Sequence, residues 1–428
     1  MKQPGVETSQ PPIRVELLPT FAEPVPSLYV HVPFCARKCE YCAFYSEPSS
    51  GEVINRYVEA LIHEMELVAG EIRPRTIFFG GGTPSLLNVR QWERLLDSMH
   101  GLGLRGAAEW TVECNPATVS LDKAKLLRSR GVNRISMGVQ SLDEGLLERL
   151  GRVHTREMVF RSFDVLRQAG FENLNVDLMF AIPGQTIQNW RDTLREALAL
   201  QSEHLSCYEV IYEEDTPLFA QLKARKFDVD EDLACVMYEE FVNSAAGAGF
   251  HQYEVANFAR DRRASAEKHA IGAHSVPDVA AAAERLAGEG SLLPSCACRH
   301  NVNYWRGGAY YGLGPSAAGY VRGVRMRNWA NTQLYCEQLE KGRRAIESSE
   351  ELNPLARAGE TAAFGLRMTS GWLFAEFLRT TGHDLRQEWR ADMDEIVARG
   401  WGRLTSERFC LTSKGLRFAD AAAELFLR

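Results

Sequence analysis

Three cysteines stand within eight residues, as Cys35, Cys39 and Cys42 of the stretch CARKCEYCAFYS, and their spacing is C-x3-C-x2-C. Thiolates are natural ligands of iron–sulfur clusters, and closely spaced cysteines can hold one face of a four-iron cluster. Three thiolates leave one iron without a protein ligand, and an open metal position is where a substrate or cofactor binds. The stretch therefore indicates a [4Fe–4S] cluster with one open iron.

Zinc is the main alternative for these thiols. A structural zinc site takes four ligands, usually from two separate C-x2-C pairs, and this chain has one C-x2-C pair. Cys296 and Cys298 could complete a site, but they end a segment whose composition indicates an insertion. Three unligated thiols in one loop would be prone to oxidation. The cluster is favoured over both alternatives.

Polar residues also stand at or near the ends of predicted strands. Gly81, Gly82 and Thr83 belong to the stretch GGGTP, which is either a tight turn or a place where a ligand approaches the backbone. Glu113 and Asp177 lie within predicted central strands, where a charged side chain requires a partner. For Asp177 the partner is either a ligand hydroxyl or a fixed internal hydrogen-bond network.

The elements that would position these residues alternate regularly from residue 28 to about residue 256. The strand candidates are LYVHV, TIFFG, WTVEC, RISMGV, LNVDLMF, HLSCYEV and HQYEV, with apolar residues at helical spacing between them. Such alternation predicts right-handed βαβ units and a parallel sheet. The expected fold is α/β, a partial or complete (β/α) barrel, with chemistry at the carboxyl ends of the strands.

Composition limits the function classes. The formal net charge of -7 gives no support for a nucleic-acid or anionic-membrane partner. No apolar run reaches the roughly 18 residues that span a bilayer. The first 27 residues are rich in proline and lack the features of a signal or transit peptide. Scattered cysteines are typical of a reducing compartment, so we expect a cytoplasmic protein.

The chain divides into a tail at 1–27, a barrel domain at 28–345 with an insertion at 260–298, and a C-terminal domain at 346–428. The last domain combines helical patterns with two short alternating runs, WGRLT and RFCLT, which is typical of a winged-helix module. Since this region is not basic, a lid or docking role is favoured over DNA binding.

The cysteine spacing, directly after the strand LYVHVPF, resembles that of the radical S-adenosylmethionine superfamily. The motifs FFGGGTPS, TVECNP, RISMGVQS, GRVHT and NVDLMFAIPGQT follow in the order found in the oxygen-independent coproporphyrinogen III oxidase family and its haem-chaperone relatives. The resemblance implies that the open iron chelates S-adenosylmethionine, whose sulfonium bond a cluster electron can cleave to give a deoxyadenosyl radical.

The same resemblance implies a set of residues that contact S-adenosylmethionine. They are Tyr29, Tyr41, Gly81, Gly82, Thr83, Glu113, Gln140, Arg152 and Asp177. The cluster ligands it implies are Cys35, Cys39 and Cys42, and no catalytic residue of the chain itself is predicted.

Two features distinguish the branches of the family. The oxidases carry a further cysteine two residues after the third, where this chain has Phe44, so it resembles the haem-chaperone branch. The stretch RHNVNYW matches the H-N-x-x-Y-W signature of that branch and implies haem contacts from His300, Asn301, Tyr304 and Trp305, with Cys298 as another ligand candidate.

The expected function is therefore a haem chaperone that binds haem as cargo and passes it to acceptor haem proteins. An electron donor is a further expected partner if the cofactor is cleaved, and transient contact with membrane-bound recipients is compatible with this role. Coproporphyrinogen III oxidase activity, and radical chemistry on another substrate, are the alternatives.

Overall fold

The computed structural model describes residues 23–48, 50–263 and 293–428. Residues 264–292, most of the predicted insertion, and residues 1–22 of the predicted tail lie outside the described residues. The described strands are β1 (Val25–Val32), β2 (Ile72–Gly81), β3 (Glu109–Cys114), β4 (Arg134–Gln140), β5 (Leu174–Phe180), β6 (His204–Glu209), β7 (Phe250–Gln252), β8 (Asn257–Arg260), β9 (Tyr311–Leu313), β10 (Ala318–Val321), β11 (Val324–Asn328), β12 (Ile346–Glu351), β13 (Trp372–Leu373), β14 (Gly402–Leu404) and β15 (Arg408–Leu411).

The described α-helices follow the strands in the order that the sequence predicts. They are α1 (Gly51–Val68), α2 (Val89–Gly101), α3 (Leu121–Ser129), α4 (Glu144–Arg149), α5 (Arg156–Gln168), α6 (Ile187–Ala199), α7 (Pro217–Lys223), α8 (Glu231–Gly247), α9 (Arg299–Trp305), α10 (Thr332–Glu340), α11 (Pro354–Gly365), α12 (Phe374–Thr381), α13 (Leu385–Glu388), α14 (Arg390–Ala398), α15 (Ser413–Leu416) and α16 (Ala419–Glu424).

Local sequence fixes where many of these helices begin. The side chains of Ser50, Asn88, Thr155, Thr186 and Asp230 each accept a hydrogen bond from a backbone N–H in the first turn of the helix that follows. Such caps satisfy amides that have no partner inside the helix. Helices α2 and α6 carry the reciprocal capping box as well.

The main sheet has nine strands in the order β7-β8-β6-β5-β4-β3-β2-β1-β9. Strands β1 to β6 are parallel and adjacent in sequence order, and β9 adds to the free edge of β1, also in parallel. This confirms the predicted α/β fold, as an open, partial barrel. Its parallel strands bring their carboxyl ends to one edge.

The seventh strand candidate, HQYEV, was wrong as a member of the parallel set. Strand β7 covers only Phe250–Gln252, and it pairs antiparallel with β8, which pairs antiparallel with β6. The connection between β7 and β8 has four residues, 253–256, which is too short for the crossover that a parallel pair needs.

The two faces of the parallel strands differ in chemistry, because side chains alternate with a period of two. One face is apolar and packs in the large hydrophobic core with the surrounding helices. The other face, inside the barrel, is polar. It includes Thr76, Glu109, Thr111, Glu113, Arg134, Ser136, Asn175, Asp177, His204 and Ser206.

The C-terminal region has its own sheet, β13-β15-β14, and its own hydrophobic core around Trp372, Phe377 and Trp389. The runs WGRLT and RFCLT contain β14 and β15, which pair antiparallel. Strand β12 pairs with β11 across the boundary predicted after residue 345.

The two regions meet at Arg306, at the end of α9. Its guanidinium donates to the Gly371 carbonyl (2.8 Å) and to Ser370 Oγ (2.8 Å), and it lies 4.7 Å from the centre of the Trp372 ring. Helix α9 is therefore connected directly to the C-terminal region.

None of the helices in the described part of the chain is both long enough and apolar enough to cross a membrane.

Candidate functional site

The three cysteines lie on the loop that joins β1 to α1, at the carboxyl end of the parallel strands. Backbone hydrogen bonds hold the base of the loop, from Cys35 N to Glu47 O (3.1 Å) and from Glu47 N to Pro33 O (2.8 Å). A third bond, from Glu40 N to Leu150 O (3.0 Å), ties the middle of the loop to the end of α4. All three thiols are partly exposed and line one cavity.

A buried histidine of β1 holds the second half of this loop in place. His31 Nε2 lies 2.8 Å from Tyr45 O, and Nδ1 lies 3.0 Å from the Tyr29 hydroxyl. A carbonyl can only accept, so Nε2 carries the proton and Nδ1 accepts from Tyr29. Burial lowers the pKa of His31, in agreement with this neutral form.

The GGGTP stretch forms a turn at the end of β2, and a turn was one of the two alternatives that the sequence left open for it. Gly81 has a φ of +105°, and a Cβ there would lie 2.5 Å from the His31 ring. A Cβ on Gly82 would lie 2.7 Å from the Phe34 carbonyl oxygen. Glycine is therefore required at both positions, and no side chain separates the backbone of this turn from the cavity.

Two carboxyl groups lie on the barrel side of this turn. Glu113 Oε2 accepts from Gly81 N (3.2 Å), and Asp177 accepts from Asn175 Nδ2 (2.8 Å) and Ser136 Oγ (3.1 Å). Burial, reinforced by Asp177, raises the pKa of Glu113 to about 8. Burial also raises the pKa of Asp177, against its hydrogen bonds. Both groups would gain from a ligand cation or hydroxyl.

Arg152 links the loop to the end of β4. Its Nη1 donates to Cys39 Sγ (3.4 Å) and its Nη2 to the Gly138 carbonyl (2.6 Å), while its buried Nε has no described partner. The bond with Gly138 needs a small residue there, since a Cβ would lie 3.2 Å from both Arg152 Nη2 and Gln140 Nε2. Gln140 itself has a φ of +67° at a register shift between β4 and β5.

These elements enclose a cavity of about 510 Å³. The sequence-predicted residues that line it are Cys35, Cys39, Cys42, Tyr41, Gly81, Gly82, Thr83, Glu113, Gln140, Arg152 and Asp177. Tyr29 does not line it, because the Tyr29 hydroxyl is turned to His31.

Several lining residues were missed by the sequence reasoning, among them Ser136, Gly138, Met179 and Tyr208. A usable signal did exist. Met179 stands two residues after Asp177 on β5, and Ser136 and Gly138 alternate on β4 before Gln140, so the period of two along a strand places them on the cavity side.

The donor set fits an iron–sulfur cluster. Among the described residues, no three His, Cys, Asp or Glu side chains converge on one point as a single ion would require. A four-iron cluster needs no such convergence, because each thiolate binds a different iron. The bare glycine backbone beside two carboxyl groups fits an amino-acid ligand that carries an ammonium group and further hydroxyls.

The rim of the cavity is apolar and open to solvent. Phe44 is 69% exposed and Ile211 66%, and Val153 also belongs to the rim. Phe44 therefore does not pack in the core; it lies on the cysteine loop, two residues after Cys42, and its side chain is not a metal ligand.

The predicted haem residues lie elsewhere, on α9 at the opposite end of the barrel. His300 is 1% exposed; its Nδ1 lies 2.9 Å from Thr76 Oγ1 and its Nε2 3.3 Å from the Tyr304 hydroxyl. Burial, with a contribution from Arg134, lowers the pKa of His300 to about 3. Both ring nitrogens are used, so ligation of haem by either nitrogen would require the hydrogen bond of that nitrogen to open.

The other members of this segment have defined contacts too. Glu109 accepts from Arg299 N (2.9 Å) and His300 N (3.0 Å), and the Cys298 thiol points at the same carboxylate (3.5 Å). Trp305 packs under the Arg367 guanidinium at 4.8 Å, and Asn301 is half-buried.

A chain of hydrogen bonds connects the two ends of the barrel. Asp177 bonds to Asn175 Nδ2 (2.8 Å), Asn175 Oδ1 to His204 Nδ1 (2.6 Å), and His204 Nε2 to the Tyr253 hydroxyl (2.8 Å). The Tyr253 oxygen then accepts from Cys298 N (3.2 Å). The cavity and the start of α9 are thereby joined through buried side chains.

Comparison with known proteins agrees with this geometry. Residues 29–197 match the model of the radical SAM superfamily, and residues 352–418 match that of the HemN C-terminal domain. The fold is similar to that of coproporphyrinogen III oxidase (HemN) from Escherichia coli, with a TM-score of 0.75 and 21% identity over 94% of this chain and 90% of that one.

Curated relatives cover nearly the whole chain. The chain is 32% identical to "Heme chaperone HemW" of Lactococcus lactis, over 94% of this chain and 97% of the relative. It is 31% identical to "Heme chaperone HemW" of Bacillus subtilis, over 94% and 99% of the two chains. The open barrel with its cysteine loop is thus that of a radical SAM protein. Within that superfamily, the chain belongs to the HemW family.

Proposed function

We propose that this protein is a haem chaperone, which binds a [4Fe–4S] cluster, S-adenosylmethionine and haem and transfers the haem to acceptor haem proteins. The observation that carries the proposal is its identity of about a third with proteins named HemW over nearly their full length. Phe44 supports it, because the chain has no fourth cysteine at the position where the oxidases of this family carry one.

In this proposal Cys35, Cys39 and Cys42 ligate three irons of the cluster. Arg152 acts on the same loop, because its Nη1 donates a hydrogen bond to Cys39 Sγ. His31 holds the end of the loop in place through Tyr45.

S-adenosylmethionine would lie in the cavity above the glycine turn. Glu113 would accept from its ammonium group, while Gly81, Gly82 and Thr83 would contact its amino-acid part. Asp177 and Gln140 would accept from ribose hydroxyls, and Tyr41 and Arg152 complete the lining. When bound, the cluster and this cofactor can supply an electron and a carbon radical. A direct contact from Tyr29 stays a prediction, since its hydroxyl supports His31.

Haem would bind at the segment that contains Cys298, His300, Asn301, Tyr304 and Trp305. Thr76 Oγ1 donates to Ser27 Oγ (2.9 Å), so it accepts from His300 Nδ1, which carries the ring proton. This leaves Nε2 of His300 as the nitrogen able to bind iron. Cys298 is the second candidate. Burial raises the pKa of its thiol to about 12, which disfavours a thiolate at this buried position.

We further propose that the protein works in the cytoplasm, because none of its ten cysteines, all within the described residues, forms a disulfide. Its partners would be acceptor haem proteins, including recipients at a membrane surface, and an electron donor wherever the cofactor is cleaved.

The test uses the full chain after anaerobic reconstitution of the cluster. One sample is titrated with haem and followed by the Soret band. A second receives coproporphyrinogen III, S-adenosylmethionine and a reductant, and its porphyrins are separated and measured. We expect saturable, stoichiometric haem binding in the first sample and no vinyl product in the second.

Formation of vinyl product would contradict the chaperone proposal and favour the oxidase. Failure of the wild-type protein to bind haem would also contradict it, and would leave radical chemistry on another substrate as the remaining explanation.

A further inference from the structure

A second cavity lies at the end of the barrel opposite the cysteine loop. Its volume is about 240 Å³, and it is lined by Ala108, Glu109, Arg128, Asn133, Glu172, Asn173, Arg262, Ser295 and Arg299. We refer to this cavity as the arginine pit. Three of its lining residues are arginines and none is aromatic, although the whole chain carries a net charge of -7. The lining therefore carries a formal charge of +1, from three arginines and two glutamates.

The acidic residues of the pit form no ion pair with Arg128 or Arg299 in the described part of the chain. Both carboxylate oxygens of Glu109 accept from backbone amides at the start of α9. Glu172 pairs with Arg262 (3.7 Å), and the Glu172 side chain is 80% exposed. Arg262 also pairs with Glu203 (3.6 Å), so Arg128 and Arg299 are the two cations of the pit that remain.

Arg299 and Arg128 both have donors to offer. The Arg299 side chain is exposed and has no hydrogen bond or ion pair within the described part of the chain. Arg128 donates from Nε to the Gly170 carbonyl (3.0 Å), which leaves its terminal nitrogens available. Two guanidinium groups in one cavity match carboxylate oxygens in geometry as well as charge.

We propose that the arginine pit binds the propionate carboxylates of haem. The assignment rests on the proposed function, since it concerns the same cargo. Arg299 directly precedes His300 in the chain, so the pit adjoins the segment proposed for haem. Its volume is below the roughly 300 Å³ at which cavities begin to enclose a drug-sized ligand, so it suits one charged edge of the porphyrin. Haem thus approaches from the end of the barrel opposite the cluster.

The test compares haem with haem dimethyl ester, in which both propionates are uncharged, on the full-length wild-type protein in a phosphate-free buffer. We expect the ester to bind about tenfold more weakly than haem, which corresponds to the loss of one charge-assisted hydrogen bond. Added salt should narrow this difference, because it screens exposed charges.

The same comparison is repeated on Arg299→Ala, Arg128→Ala and a control, Arg195→Ala, whose arginine lies on α6 with a side chain 69% exposed. We expect the two pit variants to lose affinity for haem and to bind the ester as the wild type does. Arg299→Lys should recover part of the loss, and Arg195→Ala should bind both ligands as the wild type does. Thermal melting checks that each variant is folded.

Three results would overturn the proposal. The first is equal wild-type affinity for haem and its ester. The second is an equal loss for both ligands in the pit variants, which would indicate a structural effect. The third is reduced binding of inorganic phosphate in Arg299→Ala with unchanged haem affinity, which would assign the pit to a different anion. If the wild type binds neither haem nor the ester, the proposed function itself fails.

Discussion

At the scale of single residues, the cavity places two carboxyl groups where few protein cations can reach them. Glu113 is held by one backbone amide, and Asp177 by the side chains of Asn175 and Ser136. Burial raises the pKa of both carboxyl groups and thereby favours their protonated forms. A positively charged or hydroxyl-bearing ligand would favour the carboxylate forms instead. We therefore expect the binding of such a ligand to depend on pH.

Binding of S-adenosylmethionine should weaken as the pH falls from 8 to 6. The pKa of Glu113 is raised to about 8, so at lower pH the carboxyl is protonated and must lose its proton to accept an ammonium group. The expected loss approaches about tenfold per pH unit. Equilibrium dialysis between pH 6 and 8 measures it. Below about pH 7.7 the ligand's own α-amino group is already mostly protonated, so the change in that range reports on Glu113.

Glu113→Gln is the matched variant for this experiment. It should bind more weakly than the wild type at pH 8 and show little pH dependence below that value. A wild-type affinity that does not change between pH 6 and 8 would contradict the assignment of Glu113 to the ammonium group.

Cys39→Ala should abolish the visible absorption and the electron paramagnetic resonance signal of the four-iron cluster, because two thiolates cannot hold it in this loop. Cys235→Ala on α8 is the control, since Cys235 lies away from the cavity and should leave both signals intact. An unchanged cluster spectrum in Cys39→Ala would rule out this ligand set.

The sequence predicted much of the cavity because motifs at strand ends are local. The cysteine spacing, the glycine turn and Gln140 each follow a predicted strand, and parallel strands bring these ends together. Tyr29 shows the limit of such reasoning. Its hydroxyl bonds to His31 two residues along the same strand, and spacing alone does not tell a ligand contact from an internal support.

At the scale of secondary-structure elements, α9 closes the end of the barrel opposite the cysteine loop. Its first backbone amides donate to Glu109 of β3, and His300 reaches Thr76 of β2. The sequence signature could indicate that His300 and Tyr304 share one helix face, but not that this face is buried. That depends on polar residues of β2 and β3 whose partners are more than 180 residues away in the chain.

Glu109→Gln should destabilise the protein by about 1–3 kcal/mol, because one acceptor becomes a donor beside the amides of α9. Urea unfolding measures the change in the free energy of unfolding, and hydrogen exchange should quicken at the start of α9. Glu148→Gln on α4, an exposed position, is the control and should be close to neutral. Unchanged exchange in α9 would argue against Glu109 as its anchor.

At the scale of the whole molecule, the C-terminal region meets the barrel through α9 and the strand region beside it. Besides Arg306, the backbone of Val255 donates to the Arg367 carbonyl (3.1 Å), and Thr369 N donates to the Tyr253 carbonyl (3.1 Å). The C-terminal region therefore covers the same helix that closes the barrel. No composition or charge pattern could indicate this, because the contacts join elements that are far apart in the sequence.

Arg306→Ala should weaken the interface between the barrel and the C-terminal region. The variant loses two hydrogen bonds and a cation–π contact, for an expected cost of about 2 kcal/mol. Calorimetry should then show the C-terminal region melting earlier than the barrel, with faster proteolysis between them. Arg403→Ala, on the exposed side of β14, is the control. A single unshifted transition would show that Arg306 does not hold this interface.

The hydrogen-bond chain between the cavity and α9 has a direction. Cys298 N–H donates to the Tyr253 oxygen, the Tyr253 hydroxyl to His204, His204 Nδ1–H to Asn175, and the Asn175 amide to Asp177. Every donor points toward the Asp177 carboxylate, so each bond polarises the next. Neutralising Asp177 would remove the charge that orients these hydrogen bonds, and the far end of the chain is the backbone of Cys298 at the start of α9.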